Sequence, residues 1–143
     1  ILEGYFNILK DNQPDQDWPK NEKLAYYINL YNAHTVHLIL VNYPTKSIKK
    51  ISDPWDQKLI PLQNDSISLG DLEHKILRKM GEPRIHFAIN CASASCPKLL
   101  NKAYLAENLD VQLHQAVKEF INSKRNQIRQ NHLKLSKISQ TFV

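Results

Sequence analysis

A long apolar segment between two prolines is the feature that most constrains this fold. Pro19 suits the first turn of a helix, and Pro44 suits a position just beyond a helix end. Between them, the apolar side chains of residues 24–41 fall on every side of a helix with 100° per residue. A helix that is apolar all round is surrounded by other elements. We therefore predict one long central helix that stops before Pro44.

The same segment does not predict a membrane span. A helix that crosses a bilayer needs about 20 consecutive, predominantly apolar residues. Here the run is interrupted by four polar side chains, those of Asn29, Asn32, His34 and His37. It is the longest apolar run in the sequence, so we predict no spanning segment in this chain.

The rest of the sequence predicts one α+β domain over residues 1–143, because this length supports a single hydrophobic core. Helical patterns predict flanking helices over residues 1–10, 69–80 and 105–122, with a capping box at Ser68 to Asp71. Alternating or turn-flanked runs predict a small, mostly antiparallel sheet with strands at residues 58–62, 66–69, 85–91, 127–129 and 133–135. The run at residues 85–91 alternates most clearly.

Both ends of the sequence indicate a truncated domain. The chain starts at Ile1, without an initiator methionine and already within a predicted helix. A further helix is predicted to start at Ser136, shortly before the last residue. We therefore expect the domain to continue in both directions, and the sequence leaves the presence of a signal peptide open.

The net charge of +5 comes mostly from two clusters of basic residues. They are Lys46, Lys49 and Lys50, and Lys124, Arg125, Arg129, Lys134 and Lys137. Proteins that bind nucleic acids usually interleave basic residues with glycines or aromatic residues, for close approach and for stacking. Neither cluster does so. We therefore predict a solvated basic face and no nucleic-acid partner.

The predicted strand at residues 85–91 carries a histidine and a cysteine that are candidates for catalysis. Successive side chains of a strand point to opposite faces, so His86 and Asn90 share one face and Cys91 lies on the other. A pair in which His86 activates Cys91 therefore requires a bend or a bulge near Asn90. The alternative is that Cys91 is a small, buried apolar residue at a strand end.

The loop that follows, residues 92–97, consists mainly of small side chains and contains Ser93 and Ser95. Small residues let backbone N–H groups approach an anion or oxyanion closely. The alternative is a tight loop packed against a neighbouring element. Cys91 and Cys96 also leave one local disulfide possible. They do not predict zinc, because four residues separate them and no second pair of ligands is evident. We predict no metal and no other cofactor.

Glu73 is predicted to face the core, since it projects between Leu69 and Leu77 on its helix. A core-facing carboxylate must be paired or hydrogen-bonded. We expect its partner to be His74, His86 or a loop amide. Its role is either structural or catalytic. In a catalytic role, Glu73 acts as a general base or as the acid that orients a general base. His74 projects nearer the rim of the helix.

Asn29 and Asn32 share one face of the central helix. Buried asparagines need hydrogen-bond partners, and loop backbone is the usual one. We predict that they clamp the small-residue loop or bond His86. The two histidines of the central helix lie on another side and are predicted to be structural.

These segments resemble a family of bacterial and plant proteins called domain of unknown function 547. The likeness covers roughly residues 18–139, in the family's order. It rests on residues 21–33 (NEKLAYYINLYNA), 69–78 with Glu73 and His74, 84–91 (RIHFAINC), 96–97 (CP) and 104–113. Members usually have a threonine where Leu105 stands. The last long helix is therefore predicted to lack its usual N-cap.

The resemblance implies a pocket but no settled activity, and it favours an extracytoplasmic bacterial location. The polar signature that it implies is Asn29, Asn32, Glu73, His74, His86, Cys91 and Cys96. A central helix packed on a strand that bears a histidine is also broadly similar to papain-like and transglutaminase-like hydrolases. In those proteins, however, the cysteine opens the central helix, where this chain has an asparagine.

The sequence supports two functions and does not decide whether the protein is an enzyme. The first is a thiol-dependent hydrolase or acyl transferase in which Cys91 attacks a carbonyl and His86 or His74 acts as base. Glu73 then orients the base, and the amides of residues 92–95 stabilise the oxyanion. The second is a non-catalytic module that binds a peptide, a glycan or a small molecule and whose polar cluster is structural. The predicted binding residues are Asn29, Asn32, Asn90, Ser93, Ser95 and Cys96.

Overall fold

Helices of different lengths make up most of the fold, and two short hairpins supply its strands. The computed structural model describes residues 1–129, 132–136 and 138. The elements are α1 (Leu2–Asp11), α2 (Lys20–Val41), a 3₁₀ turn (Ile48–Lys50), β1 (Ile60–Leu62), β2 (Asp65–Ile67), α3 (Leu69–Asp71), a π turn (Leu72–Ile76), 3₁₀ turns (Leu77–Met80, Pro83–Phe87 and Ala106–Asn108), α4 (Leu109–Ile121), β3 (Gln127–Arg129) and β4 (His132–Lys134). This confirms the predicted α+β class.

The central helix α2 lies where the sequence predicts it, directly after Pro19. It packs against α1, against α3 with the two turns that follow it, and against the 3₁₀ turn before α4. Contacts on several sides explain its all-round apolar pattern, and Leu24, Ile28 and Tyr31 are almost fully buried. None of the helices in the described part of the chain is long and apolar enough to cross a bilayer.

The predicted helix over residues 69–80 is present as three consecutive segments. The capping box is confirmed: Ser68 Oγ accepts from the Asp71 N–H at 3.0 Å, and the Asp71 carboxylate accepts from the Ser68 N–H at 3.2 Å. After α3 the backbone widens into the π turn and then tightens into a 3₁₀ turn. Gly81 ends the stretch with a φ of 67°, the left-handed conformation that glycine adopts most easily.

The strand predicted at residues 85–91 is wrong. Residues Pro83–Phe87 form a 3₁₀ turn, in which Pro83 opens the first turn and Glu82 caps it by accepting from the Arg84 N–H at 3.0 Å. These are helix-start signals, and they override the alternation of apolar residues. The Ile85 carbonyl accepts from the N–H groups of residues 88 and 89, both at 2.9 Å. The backbone is therefore satisfied locally rather than by a neighbouring strand.

Both predicted hairpins are present. In the first, Ile60 pairs with Ile67 across β1 and β2. In the second, Gln127 pairs with Lys134 across β3 and β4. Residues 130–131, which connect β3 to β4, lie outside the described residues, as does most of the helix predicted from Ser136.

Candidate functional site

A cavity of about 230 Å³ brings together several of the predicted site residues. It is lined by Tyr31, Glu73, Arg78, His86, Ile89, Cys91, Cys96 and Ile138. Of the predicted catalytic residues, Glu73, His86 and Cys91 meet here. His74 is exposed and lies outside this lining. The predicted opposition of His86 and Cys91 across a strand is wrong, because the 3₁₀ turn and the loop after it bring both residues to one cavity.

Glu73 lies in the π turn, and its side chain is only 18% exposed. Its Oε2 accepts from Tyr31 Oη at 3.4 Å, and its Oε1 accepts from Arg78 Nη2 at 3.2 Å. The carboxylate is thus largely buried and hydrogen-bonded, as expected, but these partners are not the predicted ones. Burial, followed by the Glu73 charge and hydrogen bond, raises the pKa of Tyr31. The phenol therefore remains a donor at neutral pH.

His86 is half-buried in the 3₁₀ turn and lines the cavity close to three charged or titratable groups. Burial lowers the pKa of His86 below its ordinary value of 6.5. Arg78 and His74 lower that pKa further, whereas Glu73 raises it. The imidazole is therefore neutral at pH 7, next to the ion pair of Glu73 and Arg78.

Cys91 and Cys96 are joined by a disulfide bond, the local bridge that the sequence left open. The Cys91 N–H also donates to Cys96 Sγ at 3.3 Å. Cys91 is half-buried at the cavity, whereas Cys96 is 3% exposed. A sulfur in a disulfide is not a thiolate. In this state Cys91 cannot attack a carbonyl, and a nucleophilic role requires prior reduction.

Asn90 organises the loop that the disulfide closes. Its Oδ1 accepts from the Ala92 N–H at 2.7 Å, and its Nδ2 donates to the Pro97 carbonyl at 2.6 Å. Ala92 has a φ of 54°, which turns the chain sharply at this point. Because the Ala92 N–H is already bonded, it is not available to the predicted oxyanion site.

The two loop serines contact each other rather than the cavity. Ser93 Oγ and Ser95 Oγ are 3.1 Å apart, and neither residue lines the cavity. The Ala94 carbonyl between them accepts from Arg125 Nε at 3.2 Å. The loop is therefore packed against a neighbouring segment, which is the alternative that its small residues offered.

The two asparagines of α2 each hold a backbone segment with both ends of the side-chain amide. Asn32 Nδ2 donates to the Ala88 carbonyl at 3.0 Å, and Asn32 Oδ1 accepts from the Asn90 N–H at 2.8 Å. Both bonds hold the segment that leads into the loop, whereas the predicted clamp was on the loop itself. Asn29 instead bonds the N–H and the carbonyl of Tyr104, both at 2.8 Å. Asn29 lines a separate cavity of about 370 Å³.

Within the described ranges, no group of three or more His, Cys, Asp or Glu side chains is placed to hold a metal ion. The arrangement of the cavity offers hydrogen bonds, one ion pair and one disulfide.

The segments that build this cavity also identify the family. The family model described as "Protein of unknown function, DUF547" matches residues 16–121 of the chain. The chain belongs to the DUF547 family. No curated protein and no solved structure matches this chain. Of the residues that line the cavity, all but Ile138 lie within the DUF547 match.

The missing helix cap at Leu105, which the resemblance to DUF547 proteins predicts, is confirmed. No side chain caps the 3₁₀ turn that begins after Leu105. Gln112, seven residues further along the chain, instead holds the segment that enters this turn. Its Oε1 accepts from the Leu105 N–H and its Nε2 donates to the Ala103 carbonyl, both at 2.9 Å.

Four residues that line the DUF547 cavity were not among the predicted site residues: the apolar Ile89 and Ile138, and the polar Tyr31 and Arg78. Tyr31 belongs to the all-round apolar helix, but a fully buried phenol needs a hydrogen-bond partner, and this signal was present in the sequence. Arg78 follows Glu73 by five positions, which places the two about 140° apart on a regular helix with 100° per residue. The π and 3₁₀ turns bring their side chains to 3.2 Å, so a regular helical projection could not pair them.

Proposed function

We propose that this cavity binds one neutral polar group of a peptide or a glycan, with the disulfide as a fixed wall. The observation that carries the proposal is the charge balance of the lining. Glu73 is paired with Arg78 at 3.2 Å, and His86 is neutral at pH 7. A cavity without net charge favours a ligand that both donates and accepts hydrogen bonds, such as an amide or a hydroxyl group.

The size of the cavity supports recognition of an end group rather than of a whole ligand. Its volume of about 230 Å³ lies below the roughly 300–1,000 Å³ of sites that enclose drug-sized molecules. Ile89 and Ile138 supply an apolar wall. The Tyr31 hydroxyl bonds Glu73 from the buried side, which fixes the carboxylate before a ligand enters. Such preorganisation reduces the entropic cost of binding.

A thiol-dependent hydrolase or acyl transferase is the second candidate. It is favoured by one observation, that Cys91, His86 and Glu73 line the same cavity. In this reading His86 acts as base toward Cys91 and Glu73 orients it. The disulfide makes binding the better-supported function, because the hydrolase exists only after reduction.

Titration of the oxidised, ¹⁵N-labelled protein tests the binding proposal. The probes are an acetylated asparagine amide, an acetylated aspartate amide and oligomers of N-acetylglucosamine. We expect the neutral probes to shift the amide resonances of Glu73, Arg78 and His86. His86→Ala removes these shifts with the melting temperature nearly unchanged. The matched control is His74→Ala, an exposed neighbour of Glu73, which binds as wild type does. Neutral probes that leave these resonances unmoved at saturation contradict the proposal.

The hydrolase candidate is tested on reduced protein. A nucleophilic Cys91 requires a thiol pKa below the ordinary value of about 8.5, read from the pH dependence of alkylation by iodoacetamide. It also requires ester or peptide hydrolysis that Cys91→Ser abolishes. An ordinary thiol pKa together with no hydrolysis rules this candidate out and leaves the binding proposal untouched.

A further inference from the structure

We propose that the Cys91–Cys96 disulfide exchanges with small thiols, with Cys91 Sγ as the atom attacked and Cys96 as the leaving thiolate. This activity goes beyond ligand binding and does not depend on the identity of a ligand. It assigns a chemical role to a disulfide that forms one wall of the cavity.

Exposure distinguishes the two cysteines. Both line the cavity, but Cys91 is half-buried, whereas Cys96 is only 3% exposed. Thiol–disulfide exchange requires a thiolate to approach one sulfur directly. A volume of about 230 Å³ admits the few atoms of a thiol side chain. We therefore assign the attack to the more exposed cysteine, Cys91.

The hydrogen bonding of the loop favours Cys96 as the leaving group. The Cys91 backbone N–H donates to Cys96 Sγ at 3.3 Å. An N–H donor stabilises a thiolate more than a neutral sulfur, and a sulfur with a lower thiol pKa leaves faster. The negative charge that forms when the bond breaks thus develops on the atom that already accepts a hydrogen bond.

One group of the cavity assists the attacking thiol. His86 lies in the same lining as the disulfide as a neutral imidazole, which is the form that accepts the proton of an incoming thiol. Arg78 is paired with Glu73 at 3.2 Å, so the lining carries no net charge that repels the thiolate formed in this way. The cavity therefore supplies a base next to the disulfide.

The reaction balances with two molecules of thiol as the reductant. The first thiolate forms a bond to Cys91 Sγ as the Cys91–Cys96 bond breaks, and its proton goes to the Cys96 thiolate. The second thiolate attacks the external sulfur of the mixed disulfide and releases Cys91, which takes the second proton. The products are one external disulfide and the protein dithiol.

The test uses oxidised, native protein with reduced glutathione, quenched with N-ethylmaleimide and analysed by peptide mass mapping. We expect a mixed disulfide on Cys91. It should form faster than the protein unfolds globally, a rate given by hydrogen exchange of the core amides. Single variants then react with oxidised glutathione. Each variant keeps one cysteine: Cys91 in Cys96→Ser, and Cys96 in Cys91→Ser. We expect the glutathionylation rate of Cys91 to be about tenfold higher than that of Cys96, in line with the difference in access.

Two results overturn the proposal. One is reduction of wild type only at its unfolding rate, and the other is a mixed disulfide that maps to Cys96. Circular dichroism shows whether the serine variants fold, and the wild-type mapping decides alone if they do not. A negative result here is distinct from failure of ligand binding, because the binding titration uses oxidised protein without any thiol.

Discussion

Asn32 Oδ1 accepts a hydrogen bond from the Asn90 N–H at 2.8 Å and so ties the central helix to the start of the disulfide loop. The Nδ2 of the same side chain donates to the Ala88 carbonyl at 3.0 Å. Asn90 in turn reaches across the loop to the Pro97 carbonyl at 2.6 Å. The wall of the cavity that contains Cys91 is therefore positioned from α2 through one carboxamide.

We expect Asn32→Ala to lower the free energy of unfolding by about 2–4 kcal/mol, because two backbone groups in a buried region lose their partner. Urea denaturation measures this loss. Asn29→Ala is the matched control, since it removes two equivalent bonds, to Tyr104. Both variants lose stability, but only Asn32→Ala speeds hydrogen exchange at the Ala92 amide in the loop. Equal exchange at Ala92 in the two variants would show that Asn32 does not position the loop.

The capping box at Ser68 gives a second prediction. Ser68→Ala removes the acceptor for the Asp71 N–H. An N-cap substitution of this kind lowers the free energy of unfolding by about 1 kcal/mol. Thermal unfolding checks this against Ser66→Ala, a change of the same size within β2. A loss no larger in Ser68→Ala than in Ser66→Ala would contradict the capping role.

The parts of the fold that the sequence predicts are those with local causes. The prolines that flank α2 and the capping box at Ser68 act within a few residues, and the helix starts and ends that they predict are confirmed. The segment at residues 85–91 differs because its apolar residues alternate for a tertiary reason. These apolar side chains belong to a 3₁₀ turn and a loop and point into the core. Alternation alone does not distinguish such a segment from a strand.

The composition of the cavity was predictable only in part. Glu73 is identified by its projection toward the core. His86 and Cys91 are identified by residue type alone, since the strand on which the sequence placed them is absent. The bond between Cys91 and Cys96 depends on the path of the loop, so spacing alone leaves it open. The partner of Glu73 is Arg78 only because the helix widens into a π turn, which no residue in the sequence signals.

We expect His34 to make the stability of the fold depend on pH. It is 9% exposed and packs on Phe6, with ring centroids 4.4 Å apart. Burial, and then the charge of His37, lowers the pKa of His34 from 6.5 to about 4. Between pH 6.5 and about 4, the unfolded chain therefore binds a proton at His34 that the folded chain does not. This lowers the free energy of unfolding by at most about 3 kcal/mol, and partial solvent contact reduces the loss. The loss grows as the pH falls from 6.5 to about 4.

Urea denaturation at pH 7 and pH 4.5 tests this effect of His34. We expect His34→Gln to lose less stability between the two pH values than wild type does. His114→Gln, a change at an exposed histidine of α4, keeps the wild-type difference. If His34→Gln and wild type lose the same free energy over this range, His34 is not the titrating group.

The last prediction concerns the opposite effects of Glu73 and Arg78 on His86. The Glu73 charge raises the pKa of His86, and the Arg78 charge lowers it. Glu73→Gln removes a negative charge that favours the imidazolium, so the pKa of His86 falls. Arg78→Gln removes a positive charge that disfavours it, so the pKa of His86 rises. The chemical shift of the His86 Cε1 proton, followed against pH, measures both changes.

The two variants control for each other, because each breaks the same ion pair at 3.2 Å and replaces one partner with the same neutral side chain. A loss of local structure would move the pKa of His86 in one direction in both. Opposite shifts therefore require both charges to lie close to the imidazole in solution. The pKa of His34, on another side of α2, should stay unchanged in both variants. Shifts of the same sign, or none, would show that the Glu73, Arg78 and His86 side chains do not share one cavity.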